Sequence, residues 1–220
     1  MIATLRREMA AAADPSRAAV QQLYMKSTMP YYGINMPEVR AITRRVFDST
    51  LSCDELRETI RRLWHGARHR EERYVAQILL GTRQHLDCLT PRDLPMLEEM
   101  VVTGAWWDLV DELTVIIGDV LRRYPGQMRP IMRRWSRDPD MWKRRVSILC
   151  QLKFKRDTDL DLLYANIEPN LADRDFFIRK AIGWALRQYA WTDPREVARY
   201  VRVNEARLSG LSKREALKNI

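Results

Sequence analysis

Apolar residues recur along the chain at intervals of three and four, the spacing that gathers side chains on one face of an α-helix. In the segment 106–123 the aliphatic residues share one arc of the helix, and the alternation typical of strands is nearly absent from the whole sequence. The pattern predicts an all-α protein with helices at about 2–13, 16–27, 37–48, 53–64, 69–83, 91–102, 106–123, 127–135, 139–152, 159–168, 175–190, 194–203 and 212–219.

Helix-start signals support several of these boundaries. Ser52 is followed three residues later by Glu55, and Ser212 is followed in the same way by Glu215. Serine and glutamate at this spacing satisfy each other's backbone N–H groups at the start of a helix. Both pairs therefore predict capping boxes.

The predicted helices pair off and repeat. The strings DELTVI (111–116), RVSILC (145–150) and KAIGWA (180–185) begin 34 and 35 positions apart. Helix pairs repeated at this length are typical of an α-solenoid of HEAT type. We therefore predict one domain over residues 1–220, an α-α superhelix of HEAT-like repeats with Asp111, Arg145 and Lys180 in a row along one concave face. An irregular bundle with short loops has a similar rhythm and remains the alternative.

The segment 106–123 carries two residues that its apolar arc does not need. Trp107 and Asp111 lie four positions apart on a different arc, so their side chains are neighbours. Trp106 and Asp108 point elsewhere, and a carboxylate at position 108 suits the positive end of the helix. Trp107 and Asp111 are therefore a candidate site, an aromatic ring beside a carboxylate.

A second face away from the core lies on the segment 175–190, where Phe177, Lys180, Trp184 and Arg187 fall together. Aromatic rings interleaved with cations can stack on nucleotides and bind phosphate. Packing of Trp184 against a neighbouring repeat, with the cations only flanking it, explains the same pattern equally well.

The chain is basic, with 38 lysine and arginine residues against 29 acidic ones and a net charge of +9. This balance favours a polyanionic partner, and nucleic acid is the commonest one. Nine cations and only two carboxylates fall between residues 122 and 145, although a solvated helix face explains part of this excess. Arg145 ends that run inside an almost entirely apolar segment, so it requires an anion, either a carboxylate or a phosphate.

Other kinds of site find little support. Cys53, Cys88 and Cys150 are far apart and odd in number, so we expect reduced core thiols in a cytoplasmic protein. His65 and His69 lie in a predicted turn, so we expect no metal site. No glycine-rich phosphate loop is present, and we expect no cofactor. The chain lacks an apolar run of membrane-spanning length, and its first residues lack the apolar stretch of a signal peptide.

Five strings together resemble the AlkD-type DNA alkylation repair proteins. They are YMKSTMPYYGINMPEVR, TGAWWDLVDELTVIIGDVL, MWKRRVSILCQLKFK, DFFIRKAIGWALRQYAWTDPREVARYV and LSKREALKNI. The resemblance runs in order from about residue 17 to residue 220, and its W-W-D-x-V-D and A-I-G-W-x-L-R strings are specific. One departure is Met36, which stands where the family's G-I-x-T-P loop has a hydroxyl residue, so the grip of that loop on DNA is in question.

The resemblance implies HEAT-like repeats that cradle duplex DNA, and a monofunctional glycosylase that removes purines alkylated at N3 or N7. In the family this occurs without flipping the base into a pocket. It makes Trp107, Asp111 and Trp184 the expected catalytic residues, with Arg145 beside them as a DNA contact. The expected DNA-binding residues are Arg145, Tyr24, Lys180, Arg187 and Phe177. We expect a monomer associated with the nucleoid.

The resemblance also suggests a mechanism. An alkylated purine is already a cationic leaving group, and a carboxylate at Asp111 stabilises the positive charge that develops on the sugar. The expected product is an abasic site, because no Schiff-base lysine is indicated apart from the weak candidate Lys180. Two rival functions remain: a non-catalytic HEAT-repeat protein that binds distorted or branched DNA, and a scaffold that binds no DNA.

Overall fold

The computed structural model describes residues 1–47 and 51–220, and these residues form fourteen α-helices and no strand. The helices are α1 (Ile2–Ala11), α2 (Pro15–Met25), α3 (Met36–Val46), α4 (Cys53–His65), α5 (Arg70–Leu80), α6 (Arg83–Leu86), α7 (Leu94–Gly104), α8 (Trp107–Arg123), α9 (Pro125–Trp135), α10 (Met141–Leu149), α11 (Leu160–Ile167), α12 (Phe176–Ala190), α13 (Pro194–Val203) and α14 (Gly210–Ala216). The all-α prediction is confirmed. Position 48, the predicted end of the third helix, lies outside the described residues.

The described chain forms two compact units, Met1–Cys88 and Leu89–Ile220. The single domain predicted over residues 1–220 stays a prediction, and each unit is described by itself. No helix in the described part of the chain is long and apolar enough to cross a bilayer.

In the first unit a buried glutamate fixes the loop that precedes α3. The Glu71 carboxylate accepts hydrogen bonds from the backbone N–H groups of Tyr32, Gly33 and Ile34, at 3.0, 2.9 and 3.3 Å. Asn35 then caps α3 by accepting from the N–H of Glu38 at 2.9 Å. A hydroxyl is therefore not needed at position 36 to start this helix, which removes one structural consequence of the Met36 departure.

The two predicted capping boxes have different outcomes. At α4 the Ser52 hydroxyl accepts from the Glu55 N–H, and the Glu55 carboxylate accepts from the Ser52 N–H. The second box is wrong, because α14 begins two residues earlier and its cap is Ser209. The Glu215 carboxylate pairs instead with side chains of α12.

The expectation of three reduced thiols is also wrong. Cys53 at the start of α4 and Cys88 form a disulfide across 35 residues, and only Cys150 is free. Cys53 is the first residue of α4, whereas Cys88 lies in the turn between α6 and α7, so the two cysteines do not occupy equivalent positions of two helices. The tertiary contact that joins them has no local pattern in the sequence. Burial raises the pKa of the Cys150 thiol to about 12.

We expect the Cys53→Ser/Cys88→Ser variant to unfold at lower urea concentration than the oxidised protein. A cross-link that closes a loop of 35 residues removes unfolded-state entropy worth about 3–4 kcal/mol. Urea unfolding followed by circular dichroism measures the difference. A reductant should lower the midpoint of the wild-type protein and leave the variant unchanged. Equal midpoints for the oxidised and reduced wild-type protein would contradict the prediction.

In the second unit two glycines allow helices of neighbouring repeats to approach closely. A Cβ on Gly118 of α8 would lie 2.3 Å from the carbonyl oxygen of Cys150, at the end of α10. A Cβ on Gly183 of α12 would lie 2.8 Å from the carbonyl oxygen of Ser212 in α14. These contacts join α8 to α10 and α12 to α14. The residues one and two turns before each glycine are thereby brought beside the next repeat.

Candidate functional site

A groove of about 470 Å³ opens on the second unit between α8 and α12. Its wall contains Trp107 and Asp111 from α8 and Trp184 from α12, the three residues predicted to be catalytic. The rest of the lining is Asp108, Glu112, Val115, Leu152, Lys153 and Gln188. The structure thus gathers three carboxylates and two half-buried indole rings around one open space. The expectation that Asp108 points away from Trp107 and Asp111 is wrong, because it lines the same groove.

Asp111 is held by Arg145 of α10 in a bidentate ion pair. The Nε of Arg145 donates to Oδ1 of Asp111 at 2.7 Å, and Nη2 donates to Oδ2 at 2.8 Å. Two parallel hydrogen bonds between planar groups fix the plane of the carboxylate as well as its position. The orientation of Asp111 in the groove is therefore set by a residue of the next repeat.

Arg145 is itself almost completely enclosed, with an exposed fraction of 3%. Its Nη1 donates to the carbonyl oxygen of Phe177 at 2.6 Å. Its guanidinium carbon lies 5.9 Å from the ring centroids of both Phe177 and Trp184. Arg145 therefore joins α8, α10 and α12, and of the two anions considered for it the structure supplies the carboxylate.

Adjacent tryptophans at the start of α8 have different surroundings, as the helical faces predict. Trp107 lines the groove. Trp106 packs against Trp142 and Phe177, with ring centroids 6.2 and 5.4 Å apart, and the Trp142 and Phe177 centroids are 5.1 Å apart. This aromatic cluster includes Phe177, whose backbone carbonyl oxygen accepts a hydrogen bond from Arg145. Direct DNA contact by Phe177 stays a prediction, since its ring lies in this cluster.

Lys180 and Arg187, the other cations predicted on the α12 face, share one partner. The Glu215 carboxylate of α14 lies 2.6 Å from Nζ of Lys180 and 2.6 Å from Nη1 of Arg187. The hydrogen bond from Lys180 lowers the pKa of Glu215 below its usual value. Tyr24, the remaining predicted contact, lies on α2 of the first unit with its side chain exposed.

We expect Glu215→Gln to destabilise the protein by about 1 kcal/mol at neutral pH, because both cations lose their charged partner. The pKa of Glu215 is lower in the folded chain than its usual 4.5. Its contribution is therefore complete above the unfolded value and is lost as the pH falls through the folded value. The stability difference from wild type should accordingly shrink on acidification. Urea unfolding at several pH values tests this. Glu205→Gln, in an exposed turn, is the control because it removes the same negative charge. A difference that grows on acidification would contradict it.

Fewer cations between residues 122 and 145 are available to bind DNA than the composition of this run indicates. Five of its nine cations pair with carboxylates, several of which come from distant parts of the chain. The paired cations are Arg123, Arg129, Lys143, Arg144 and Arg145. Much of this run therefore stabilises the fold, and it is a weaker argument for DNA than its count suggests.

Lys153 is a groove residue that no helical pattern in the sequence indicated. It lies in the turn after α10 and lines the same groove as Asp111 and Trp184. Arg122 donates to the Lys153 carbonyl oxygen at 2.7 Å, and its guanidinium lies over the Phe154 ring at 4.4 Å. Lys153 is exposed, and within the described residues its ammonium group has no carboxylate partner. Lys153 is thus the cation in a groove lining that also holds the carboxylates of Asp108, Asp111 and Glu112.

Comparison with known proteins agrees with this geometry. A family model described as "DNA alkylation repair enzyme" matches residues 5–220. The chain belongs to this family. A solved structure titled "Predicted DNA alkylation repair enzyme from Enterococcus faecalis" is similar to it, with 30% identity and a TM-score of 0.85. The match covers 94% of this chain and 96% of that one. A search of curated proteins found no match.

Membership in the DNA alkylation repair family confirms the resemblance drawn from the sequence motifs. The match covers nearly the whole chain, so it includes the helices that build the groove. The helical-repeat fold predicted from the 34- and 35-residue spacings is supported by the solved relative. The family description gives DNA repair as the role, and the reaction must be inferred from the groove itself.

Proposed function

We propose that this protein is a monofunctional DNA glycosylase that excises purines alkylated at N3 or N7 from duplex DNA and leaves an abasic site. The observation that carries the proposal is the Asp111 carboxylate, which is fixed by Arg145 inside a groove that also holds Trp107 and Trp184. DNA is a polyanion, so a protein that only binds DNA gains no affinity from a carboxylate that faces the DNA.

The proposed chemistry needs no general acid. Alkylation at N3 or N7 makes the purine a cation, so the bond between C1′ and the base nitrogen can break with its electron pair leaving on a neutral base. Positive charge then develops on the deoxyribose. The Asp111 carboxylate stabilises that charge, and a preoriented group does so without reorganisation during the reaction. Water adds to C1′ through its oxygen and releases a proton, which gives the abasic sugar.

The two tryptophans complete the surroundings of the reacting sugar. Indole rings present a negative π face that attracts cationic groups, with a contribution of about 0.5–2 kcal/mol each in a desolvated site. Trp107 and Trp184 lie on opposite helices of the groove. We infer that they contact the deoxyribose from its two sides.

The contacts of Arg145 change the role proposed for it. Three of its nitrogens donate to Asp111 and Phe177, so we assign Arg145 to positioning the carboxylate. Lys153 takes the phosphate role in our proposal, because it is the exposed cation of the groove lining. Phosphate contacts of this kind set the register of the DNA without reading its sequence.

One assay tests the function. The protein is incubated with duplex DNA that contains 7-methylguanine, and released base is measured by chromatography. Strand breaks are measured with and without alkali. Free purine with breaks only after alkali supports a monofunctional glycosylase, and breaks without alkali would indicate a lyase. DNA binding without purine release would favour the non-catalytic DNA-structure binder.

A further inference from the structure

A third tryptophan lies on the same face of α12 as Trp184. Trp191 directly follows the helix with right-handed helical φ and ψ, so it continues the helical path. Seven residues correspond to nearly two full turns, which brings Trp191 back to within about 20° of Trp184. Gln188 of the groove lining lies between them, one turn from each. The face that carries the candidate site therefore continues toward the C-terminal end of α12.

Trp191 is unusually exposed for its size. Its exposed fraction is 72%, whereas the ring of Trp184 is half-buried and therefore less exposed. An indole is a large apolar surface, and leaving it in water forgoes the free energy that its burial supplies. No ring contact involves Trp191 within the described residues. The side chain is therefore available to a partner that reaches this end of the groove.

The charges around this extension fit a polyanion. A small cavity brings Lys155 beside Gln188 and Tyr189, and Lys155 and Arg156 are exposed. Two carboxylates also lie near Tyr189: Asp193 accepts from the N–H of Glu196 as the cap of α13, and Glu196 pairs with Arg199. Lys155 near Gln188 and the exposed ring of Trp191 supply a cation and an aromatic surface, the combination that binds a nucleic-acid strand.

We propose that Trp191 is a second DNA contact, which packs against the flanking duplex about three base-pair steps from the lesion. The distance follows from the helix, because seven residues at about 1.5 Å each span roughly 10 Å. Successive nucleotides of a strand are about 3.4 Å apart. The inference rests on the proposed function, since it takes Trp184 to lie at the lesion. Trp191 would set affinity and the required length of duplex, and take no part in the chemistry.

The test compares Trp191→Ala with wild type on three duplexes that contain one 7-methylguanine. One duplex extends well beyond the lesion on both sides, and each of the others ends about two base pairs from it on one side. We expect Trp191→Ala to raise the Kd of the long duplex about five- to tenfold, and to leave the single-turnover excision rate at saturating DNA unchanged. On one of the shortened duplexes the two proteins should bind equally.

Val203→Ala is the matched control, because Val203 is another exposed apolar residue of this unit, 66% exposed at the end of α13. It should bind all three duplexes as wild type does. Trp191→Phe adds a direct readout, since DNA should quench the tryptophan emission of this variant less than that of wild type.

Equal affinity of Trp191→Ala and wild type for the long duplex would overturn the inference, and so would an equal loss on all three duplexes. Self-association that Trp191→Ala abolishes, with DNA affinity unchanged, would assign the ring to a second copy of the chain and also overturn it. The proposed activity fails separately, because binding without excision rejects the glycosylase and leaves the Kd comparison intact. Absence of DNA binding by the wild-type protein would reject both.

Discussion

Asp111→Asn is expected to lower the single-turnover rate of 7-methylguanine excision about 10²- to 10³-fold, the usual effect of removing one preorganised electrostatic group. Asparagine keeps the shape of aspartate and one acceptor oxygen, but it cannot neutralise the charge that develops on the sugar. The Kd for undamaged duplex should change little, because Asp111 contributes no attraction to phosphate. The measurement is excision at saturating protein, together with DNA affinity. Near-wild-type excision by this variant would refute the role of Asp111.

Stability must be separated from chemistry in this variant. Removing one partner of a buried ion pair costs about 3–5 kcal/mol, and asparagine should cost less because it still accepts from Arg145. The chain supplies a matched control in Asp173, which pairs with Arg144 at 3.0 Å and has the same side-chain exposure as Asp111, 19%. Asp173→Asn removes a comparable ion pair away from the groove lining. It should lower stability without lowering excision, and an equal loss of excision in both variants would mean that unfolding is responsible.

Helical periodicity predicted the fold well because it reports directly on which residues are buried. The same reasoning separated Trp107 from Trp106, since a difference of one residue turns a side chain by about 100°. The Ser-x-x-Glu spacing at Ser212 gave a wrong capping box because a local pattern does not reveal distant partners. Glu215 has two such partners on α12, and the helix starts at Gly210 instead.

The candidate site was predicted only in part, for related reasons. Repeat alignment placed Asp111 and Arg145 in one row, but the identity of the anion beside Arg145 depends on the packing of α8 against α10. Lys153 lies in a turn after α10, where no helical face can be assigned. The signal available for it was the string Lys153-Phe154-Lys155, in which two cations flank an apolar residue that becomes buried. The disulfide could not be predicted because Cys53 and Cys88 are 35 residues apart and only the packing of the first unit brings them together.

Arg145→Lys is expected to lower excision about 10- to 100-fold while leaving the affinity for undamaged duplex unchanged. Lysine keeps the positive charge but replaces a planar fork with a single compact group. It cannot reproduce the hydrogen bonds to both oxygens of Asp111 and to the carbonyl of Phe177. A carboxylate displaced by about 1 Å can cost on the order of 10²-fold in rate. Stability should also fall by about 2–3 kcal/mol, since a buried network is left incompletely bonded.

The salt dependence of DNA binding separates the two roles that Arg145 could have. If Arg145 holds the carboxylate, the slope of log Kd against log salt concentration should be the same for Arg145→Lys and Arg145→Met, because an enclosed guanidinium releases no counterion from DNA. Lys153→Met should reduce that slope by about 0.9, the value for one lost phosphate contact. A phosphate-binding Arg145 reverses the pattern: Arg145→Met would reduce the slope and the affinity, whereas Arg145→Lys would largely retain both. The 3% exposure of Arg145 and its bidentate bond to Asp111 favour the first outcome.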